Sequence, residues 1–220
     1  MSEWFHSAFK KFAEFTPLTW GILAVLLIGG YVVYRMTRSG KRWSTHMVAN
    51  AAMCIAIAFI LSYIRLYRMP LGGSVTLASM LPIFLFAYAY GVGPGLAAGL
   101  AYGVFQFIQG GYVLSPVQVI LEYPLAFALL GLAGIAHGSD SKAKMLGGML
   151  LGAFGRFFCA FLAGVVFWGK PEDYAGSVLL YSFIYNGAYM LPDTIICMVL
   201  AFIPAVQKLA RMLPQTDSRR

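Results

Sequence analysis

Charged residues are scarce in this sequence: Asp, Glu, Lys and Arg make up 11% of its 220 residues, whereas apolar residues make up 60%. A soluble domain of this size carries roughly a quarter charged residues. This composition therefore excludes an ordinary water-soluble domain. Because a membrane-spanning helix needs about 20 mostly apolar residues, the chain has room for about six or seven spans with short loops, and for no separate soluble domain.

Cysteines are few, and familiar catalytic motifs are lacking. Cys54, Cys159 and Cys197 each lie inside an apolar run, with no CxxC pair and no clustered histidines. Such a set argues against a disulfide framework and a zinc site, so we expect no metal and no cofactor. A phosphate-binding loop, a GxSxG elbow and an HExxH motif are absent as well. We therefore expect no enzyme, and any concentrative uptake would draw its energy from a partner or an ion gradient.

Seven apolar runs predict membrane helices. They cover residues 18–34, 47–64, 75–90, 94–108, 117–136, 145–167 and 181–203. The third and fourth runs are short for spans, and Gly91, Gly93 and Pro94 predict a tight turn between them. In residues 1–16, aromatic residues at helical spacing predict a short interfacial helix, with a plain structured tail as the alternative.

The basic residues predict the orientation of the chain. Ten of the 16 lie in the loop after the first run, the loop before the sixth run and the C-terminal tail, and five lie on the opposite side. By the positive-inside rule the C-terminus is cytoplasmic and the N-terminus outside. The net charge of +8 thus indicates orientation and lipid headgroups, rather than nucleic acid. Loops 65–73, 109–116 and 168–180 would face outward, and the first of them could act as a lid.

Three charged residues stand out inside the apolar runs, where charge is costly and usually paired or functional. Arg156 and Asp193 lie about halfway along the sixth and seventh runs, so we expect them to form a structural ion pair. Glu122 lies roughly 7–8 Å below the outer end of the fifth run, where we expect no charged partner. It is either protonated and packed, or it binds a cation.

Aromatic and amide side chains reach the same depth as Glu122. They are Tyr112, Tyr123, Trp168, Tyr181, Tyr185 and Asn186. Each has an ordinary explanation, since Tyr and Trp are common at membrane interfaces and Asn can join two helices. Together they predict a pocket in which ring faces and a carboxylate attract a cation and an amide binds a heterocycle edge. The predicted ligand is a planar, cationic, hydrogen-bonding small molecule.

Four segments in order carry a resemblance to a known family: MPLGGSVTLASMLPIFLFAYAYG at 69–91, YVLSPVQVILEYPLAFALLGLAG at 112–134, GRFFCAFLAGVVFWG at 155–169 and YSFIYNGAYMLPD at 181–193. The chain resembles the thiamine-specific substrate-binding components of energy-coupling-factor transporters over about residues 47–205. The resemblance implies an all-α membrane protein: a six-helix bundle, here preceded by one extra transmembrane helix.

In domain terms, we expect residues 1–46 to hold the interfacial segment, the extra helix and a basic cytoplasmic loop. Residues 47–205 would form the substrate-binding membrane domain, and residues 206–220 a basic cytoplasmic tail. The resemblance further implies that the protein binds thiamine from the outside of the cell membrane. Its partners would be a transmembrane scaffold subunit and two ATP-binding subunits. Ala52 and Ala56, whose spacing permits close helix contact, would contact the scaffold.

By position, the resemblance makes Glu122 the ligand-binding carboxylate, Tyr123 the tyrosine beside it and Trp168 a stacking ring. Tyr181 and Asn186 would be polar contacts, and Tyr112 an aromatic of the preceding loop. The family commonly has a histidine four residues after Arg156, where this chain has Ala160. A ligand contact is therefore missing or replaced. This departure keeps open a thiamine precursor or another vitamin as ligand, besides a non-transport membrane protein.

Overall fold

The computed structural model describes residues 43–70, 72–168 and 177–213. These ranges contain seven helices and one β-hairpin. The helices are α1 (Thr45–Tyr63), α2 (Leu81–Tyr90), α3 (Val92–Ile108), α4 (Pro116–Ala136), α5 (Lys142–Trp168), α6 (Val178–Ala201) and α7 (Pro204–Met212). The hairpin pairs β1 (Arg65–Arg68) antiparallel with β2 (Ser74–Thr76). The predicted interfacial helix and the first predicted span lie outside the described residues.

Four of these helices, α1, α4, α5 and α6, are long and apolar enough to cross a membrane. Helices α2 and α3 are apolar but shorter, with 10 and 17 residues. Gly91 reverses the chain between them with φ at +95°, a conformation that only glycine adopts readily, so the predicted tight turn is present. The prediction of a helical, multi-pass membrane protein is confirmed.

The third predicted run was wrong at its start. Residues 75–80 do not form a helix: β2 ends at Thr76, and α2 begins only at Leu81. Thr76 Oγ1 and Ser79 Oγ share a hydrogen bond at 2.7 Å, and the backbone N–H of Ser79 donates to Thr76 Oγ1 at 3.3 Å. Such local bonds give the backbone a turn instead of a helix. Apolar residues alone did not reveal this turn.

Helix α2 is the centre of the bundle: nine of its ten residues are buried. The outer helices instead leave large apolar side chains uncovered, such as Ile60 on α1, Phe154 on α5 and Leu191 and Val199 on α6, each about 61–63% exposed. An apolar surface this extensive is unfavourable in water. It is the surface that a bilayer requires around the whole bundle.

Helices α3 and α4 pack backbone against backbone. A Cβ at Gly99 would lie 2.3 Å from the Phe127 carbonyl oxygen, and one at Gly103 would lie 2.4 Å from that of Tyr123. In return, a Cβ at Gly131 of α4 would lie 2.1 Å from the Leu96 nitrogen. Contact this close needs glycine on both sides, as in other membrane helix pairs. This close contact, called the α3–α4 seam, fixes the position of Glu122 and Tyr123 relative to α3.

Helix α7 is held against the start of the bundle. The carbonyl of Leu213 accepts hydrogen bonds from Tyr90 Oη at 2.7 Å and from Asn50 Nδ2 at 3.2 Å. Ala210 and Leu213 are buried. The stretch predicted as a basic tail from residue 206 is therefore, as far as residue 213, the end of an amphipathic helix that is docked on α1 and α2.

Candidate ligand-binding site

A cavity of about 420 Å³ lies beneath the hairpin, among α3, α4, α5 and α6. This volume is in the usual range for small-molecule sites, about 300–1,000 Å³. The structure brings every predicted substrate-binding residue to its wall. These are Tyr112, Glu122, Tyr123, Trp168, Tyr181 and Asn186.

Glu122 has two hydrogen-bond partners, and neither of them is charged. Trp168 Nε1 donates to Glu122 Oε1 at 2.7 Å, and Gln118 Nε2 donates to Glu122 Oε2. Gln118 is itself fully buried, and its Oε1 accepts from the backbone N–H of Leu114 at 3.0 Å. Both donors are neutral, so they orient the carboxylate without neutralising it. No cationic side chain forms an ion pair with Glu122 within the described ranges.

Two π-helical turns hold this pair of side chains. The first, Leu121–Leu125 in α4, contains Glu122, Tyr123 and Pro124. The second, Gly164–Trp168, ends α5 at Trp168. A π turn is rare, occurs mostly as a single-turn bulge within an α-helix and is often found at functional sites. The hydrogen bond from Trp168 to Glu122 thus joins two local irregularities that face the same cavity.

Aromatic rings form the rest of the wall near Glu122. Tyr112 meets Trp168 edge to face, with ring centroids 5.7 Å apart. The hydroxyl of Tyr123 accepts from the backbone N–H of Tyr112 at 3.0 Å. Across the cavity, Tyr181 stacks on Tyr185 at 5.8 Å. In this arrangement Trp168 holds the carboxylate and also contributes a ring, whereas the sequence had predicted only the stacking.

Asn186 lies at the cavity but already bonds within the protein. Its Nδ2 donates to the carbonyls of Ser182 at 2.9 Å and Ala160 at 3.3 Å. Its Oδ1 accepts from Tyr189 Oη at 2.9 Å. The residue therefore fastens α6 to α5, and what it offers a ligand is the remaining lone pair of Oδ1. Ala160, where the family histidine was expected, lines the same wall.

Arg156 and Asp193 are brought together, with Nη1 and Oδ2 3.9 Å apart. Asp193 is buried, and its Oδ1 accepts from Thr76 Oγ1 of the hairpin at 3.0 Å. The Arg156 guanidinium carbon lies 4.3 Å from the centre of the Phe127 ring. Arg156, but not Asp193, also lines the cavity. The pair thus links the cavity floor, α6 and the hairpin.

Several polar groups at the cavity were missed from the sequence. Gln106 Nε2 donates to Tyr102 Oη at 2.7 Å. Gln109 Oε1 lies 3.0 Å from Ser62 Oγ, whose hydroxyl donates to the Phe59 carbonyl at 2.6 Å, and Gln109 Nε2 is buried with no partner among the residues described. Two glutamines three residues apart in an apolar helix lie on one face, which was the available signal. Arg65 and Arg68 of the hairpin also line the cavity.

The residues predicted for other roles lie elsewhere. Ala52 and Ala56 are exposed on the outer face of α1, away from the cavity. Cys54, Cys159 and Cys197 are buried and unpaired. Across the described part of the chain, no group of three or more His, Cys, Asp or Glu side chains is placed to hold a metal ion.

Fold and cavity together define a multi-pass helical membrane protein with a cavity of small-molecule size under a hairpin. Comparison with known proteins then identifies the family. The family model described as thiamine transporter protein matches residues 48–213, and the chain belongs to that family. It is a family of transport proteins, not of enzymes.

Individual relatives agree with this assignment. The thiamine transporter ThiT of Lacticaseibacillus paracasei is 34% identical over 168 residues, covering 70% of this chain and 83% of the relative. ThiT of Bacillus subtilis is 34% identical over 162 residues, covering 67% and 84%. A solved structure of ThiT from Listeria monocytogenes superposes with a TM-score of 0.61 at 26% identity, covering 78% of this chain and 95% of the other.

Proposed function

We propose that this protein is the high-affinity thiamine-binding membrane component of an ATP-driven vitamin uptake system. One observation carries the proposal: the Glu122 carboxylate is oriented by Trp168 and Gln118 in a cavity rimmed by aromatic rings. A preorganised carboxylate that lacks a cationic partner of its own among the described residues is suited to receive one from a ligand. In a partly dry site the attraction between the two charges is stronger than in water.

The chemistry of thiamine matches this cavity. Its thiazolium ring carries a permanent positive charge, which favours the carboxylate and aromatic faces. Its aminopyrimidine ring offers donors and acceptors on one edge. The Gln109 amide, which has a buried atom without a partner in the described structure, is available for a polar group on that edge. We infer that Gln109, together with Asn186 Oδ1, supplies contacts that the absent family histidine would have made near Ala160.

We propose a finer architecture. Helices α1 to α6 form the six-helix core, and the apolar run 18–34, which lies outside the described residues, is proposed from the sequence as a further span before it. The hairpin and cavity face outward, so ligand is captured from outside. This orientation assigns Lys142, Lys144 and Lys208 to the opposite, cytoplasmic side, in agreement with the positive-inside rule. The core spans residues 47–205, between an N-terminal region of residues 1–46 and a C-terminal region of residues 206–220 that includes most of α7.

Transport requires partners. We propose that a transmembrane scaffold subunit and two ATP-binding subunits supply the energy. The exposed small residues Ala52 and Ala56 on α1 support a scaffold contact there, because they allow another helix to approach closely. A second candidate function is the same capture step for a thiamine precursor or another vitamin. Ala160 favours it, since this wall of the cavity lacks the family side chain.

The test is a thiamine titration of the purified full chain in uncharged detergent, followed by calorimetry and tryptophan fluorescence. We expect saturable binding at submicromolar thiamine. Glu122→Gln removes the charge but keeps the shape, and should weaken binding by about 100-fold or more. Asp140→Asn removes the same charge in the exposed loop before α5 and should leave binding unchanged. If the folded protein does not bind thiamine, the proposal is refuted and related vitamins become the ligands to test.

A further inference from the structure

Helix α7 carries two apolar faces, and the protein covers only one of them. On the covered face Ala210 and Leu213 are buried, and Val206 packs against the core. On the other face Leu209 and Met212 are 51% and 50% exposed. Residues three apart on a helix are neighbours on its surface, so Leu209 and Met212 form one apolar stripe that the bundle leaves open.

The order of side chains around α7 gives the helix three different sides. Each residue turns a helix by about 100°. By this rotation the stripe of Leu209 and Met212 lies directly beside the covered face, and Lys208, which is exposed, borders the stripe on its far side. A helix with protein on one side, an open apolar stripe on the next and a basic side chain beyond it has the pattern of helices that lie in a membrane interface.

Helix α7 is placed where such an interface would lie. The first turn of α6 reaches the cavity through Tyr181, and α7 follows the other end of α6. Gln207 Nε2 donates to the carbonyls of Ala201 at 3.1 Å and Phe202 at 3.3 Å, which folds α7 against the last turn of α6. Since α6 has 24 residues, its ends lie roughly 36 Å apart, slightly more than the hydrocarbon core of a bilayer. Helix α7 therefore lies at the membrane surface opposite the cavity.

The junction between α6 and α7 extends the open apolar surface. Phe202 and Ile203, which connect the two helices, are 49% and 42% exposed. Together with Leu209 and Met212 they make four large apolar side chains that are uncovered at one end of the bundle. Water is an unfavourable neighbour for such a group, whereas the boundary between lipid headgroups and acyl chains accommodates it.

Basic side chains adjoin this surface. Gln207 and Lys142 line the same small cavity, together with Asp140, so the start of α5 lies beside α7. Lys142 and Lys144 in the first turn of α5 are exposed, as is Lys208. Three lysines and one aspartate leave the patch positive. A basic patch beside an apolar stripe is complementary to anionic phospholipid, which brings a negative headgroup and acyl chains together.

We propose that α7 is an interfacial helix that, with the start of α5, binds anionic phospholipid in the leaflet opposite the cavity. Leu209 and Met212 contact the acyl chains, and Lys208 and Lys142 bind the headgroup phosphate as compact cations. Continuity of α7 with a membrane-spanning helix favours lipid over a protein partner as the occupant. This surface is separate from the ligand cavity, so the inference does not depend on the proposed function.

The experiment compares two lipids on the same protein. The full chain in uncharged detergent is mixed with phosphatidylglycerol or with phosphatidylcholine of the same acyl chains, and its unfolding temperature is measured. The variants are Lys142→Gln/Lys208→Gln, which removes the charges, and Lys142→Arg/Lys208→Arg, which keeps them at the same positions. The arginine variant is the matched control, because any general effect of substitution at these two positions appears in it as well.

We expect phosphatidylglycerol to raise the unfolding temperature of the wild type by about 3 °C or more above the value in phosphatidylcholine, because a lipid that binds only the folded state stabilises it. The arginine variant should keep this difference, and the glutamine variant should lose at least about half of it. High salt should reduce the difference in the wild type, since it screens exposed charges.

A second variant tests the apolar stripe, and a second probe tests the source of the phosphate. Leu209→Gln/Met212→Gln keeps the lysines but removes the acyl-chain contact, and should also reduce the difference between the two lipids. Glycerol 3-phosphate carries the charged group without acyl chains and should not stabilise the wild type. If it stabilises as well as phosphatidylglycerol does, the lysines bind free phosphate and the lipid site is wrong.

The remaining outcomes overturn the proposal. Equal unfolding temperatures of the wild type in the two lipids, or an undiminished difference in Lys142→Gln/Lys208→Gln, would show that the patch does not select anionic lipid. If Leu209→Gln/Met212→Gln keeps the full difference, a protein covers the stripe instead. Light scattering that finds a wild-type dimer and a monomeric stripe variant would identify that protein as a second copy of this chain. None of these results alters the thiamine titration, which tests the proposed function separately.

Discussion

Trp168 donates a hydrogen bond from its indole Nε1 to Oε1 of Glu122 at 2.7 Å, although 46 residues separate the two. The bond joins the end of α5 to the first third of α4. It gives one side chain two functions, since the same indole ring also meets Tyr112 at the cavity rim. Orientation of the carboxylate and closure of the aromatic wall are therefore coupled.

Trp168→Phe separates these functions, because phenylalanine keeps a ring but has no N–H. We expect thiamine affinity to fall about 10-fold, as the carboxylate loses one of its two donors. Trp168→Ala, which also removes the ring, should lose considerably more. Isothermal titration calorimetry of both variants measures the difference. Equal affinities for Trp168→Phe and the wild type would show that the hydrogen bond does not prepare the site.

Removing only Asp193 from the Arg156–Asp193 pair should lower the stability of the protein more than replacing both residues. Asp193→Leu leaves Arg156 without its partner and Thr76 without its acceptor, at an expected cost of about 3 kcal/mol. Adding Arg156→Met should recover part of that loss, since no unpaired charge remains. Thermal unfolding in detergent measures both variants. A double variant less stable than Asp193→Leu would contradict the pairing.

The α3–α4 seam predicts a sharp contrast between two glycines. Gly131→Ala forces a Cβ against the backbone of Leu96, and should cost at least about 2 kcal/mol of stability. Gly147→Ala is the matched control, because nothing lies within 4 Å of its Cβ position on α5. There alanine should stabilise the helix by about 0.5–1 kcal/mol. The two variants should shift the unfolding temperature in opposite directions, and a harmless Gly131→Ala would refute the close seam.

The hairpin predicts an effect on ligand exchange. The backbone N–H of Gly73 donates to the Tyr185 hydroxyl at 3.2 Å, which ties the hairpin to α6. Tyr185→Phe removes this acceptor and should raise the dissociation rate of thiamine about 5-fold, as expected for the loss of one hydrogen bond. Stopped-flow fluorescence measures the rate.

Tyr67→Phe is the control for that experiment. Tyr67 is 61% exposed on the hairpin face that does not line the cavity, so its substitution should leave the rate unchanged. If both variants behave like the wild type, the hairpin does not limit ligand exchange and the predicted lid function of loop 65–73 is wrong.

Most of the helical framework was predictable because membrane helices are defined by long apolar runs. The fifth predicted span, 117–136, differs from the observed Pro116–Ala136 by one residue. The charged residues could also be paired in advance, because Arg156 and Asp193 lie at similar depth. The start of α5 is set by a helix cap that the apolar run did not show. Ser141 Oγ accepts from the backbone N–H of Lys144 at 3.4 Å, and α5 begins at Lys142, three residues before the predicted start.

What the sequence could not reveal depends on contacts between distant segments. The hairpin consists of strands of four and three residues, too short for a clear alternating pattern. Its bulge, between Arg65 and Tyr67, becomes visible only in the register. Likewise, the partners of Glu122 are one turn and 46 residues away, and a π turn leaves no reliable trace in composition. The site residues were identified by type and depth, whereas their mutual bonds required the fold.

The two π turns have a consequence for the history of this chain. Each is equivalent to one residue inserted into a regular helix and accommodated as a single-turn bulge. Deleting one residue from Leu121–Leu125 would restore an ordinary α-helix with its two halves still in phase, and would remove the bulge that contains Glu122 and Tyr123. The geometry of the site therefore depends on the number of residues in α4 and α5 as well as on their side chains. In an ancestral bundle without the site, we expect each of these helices to be one residue shorter.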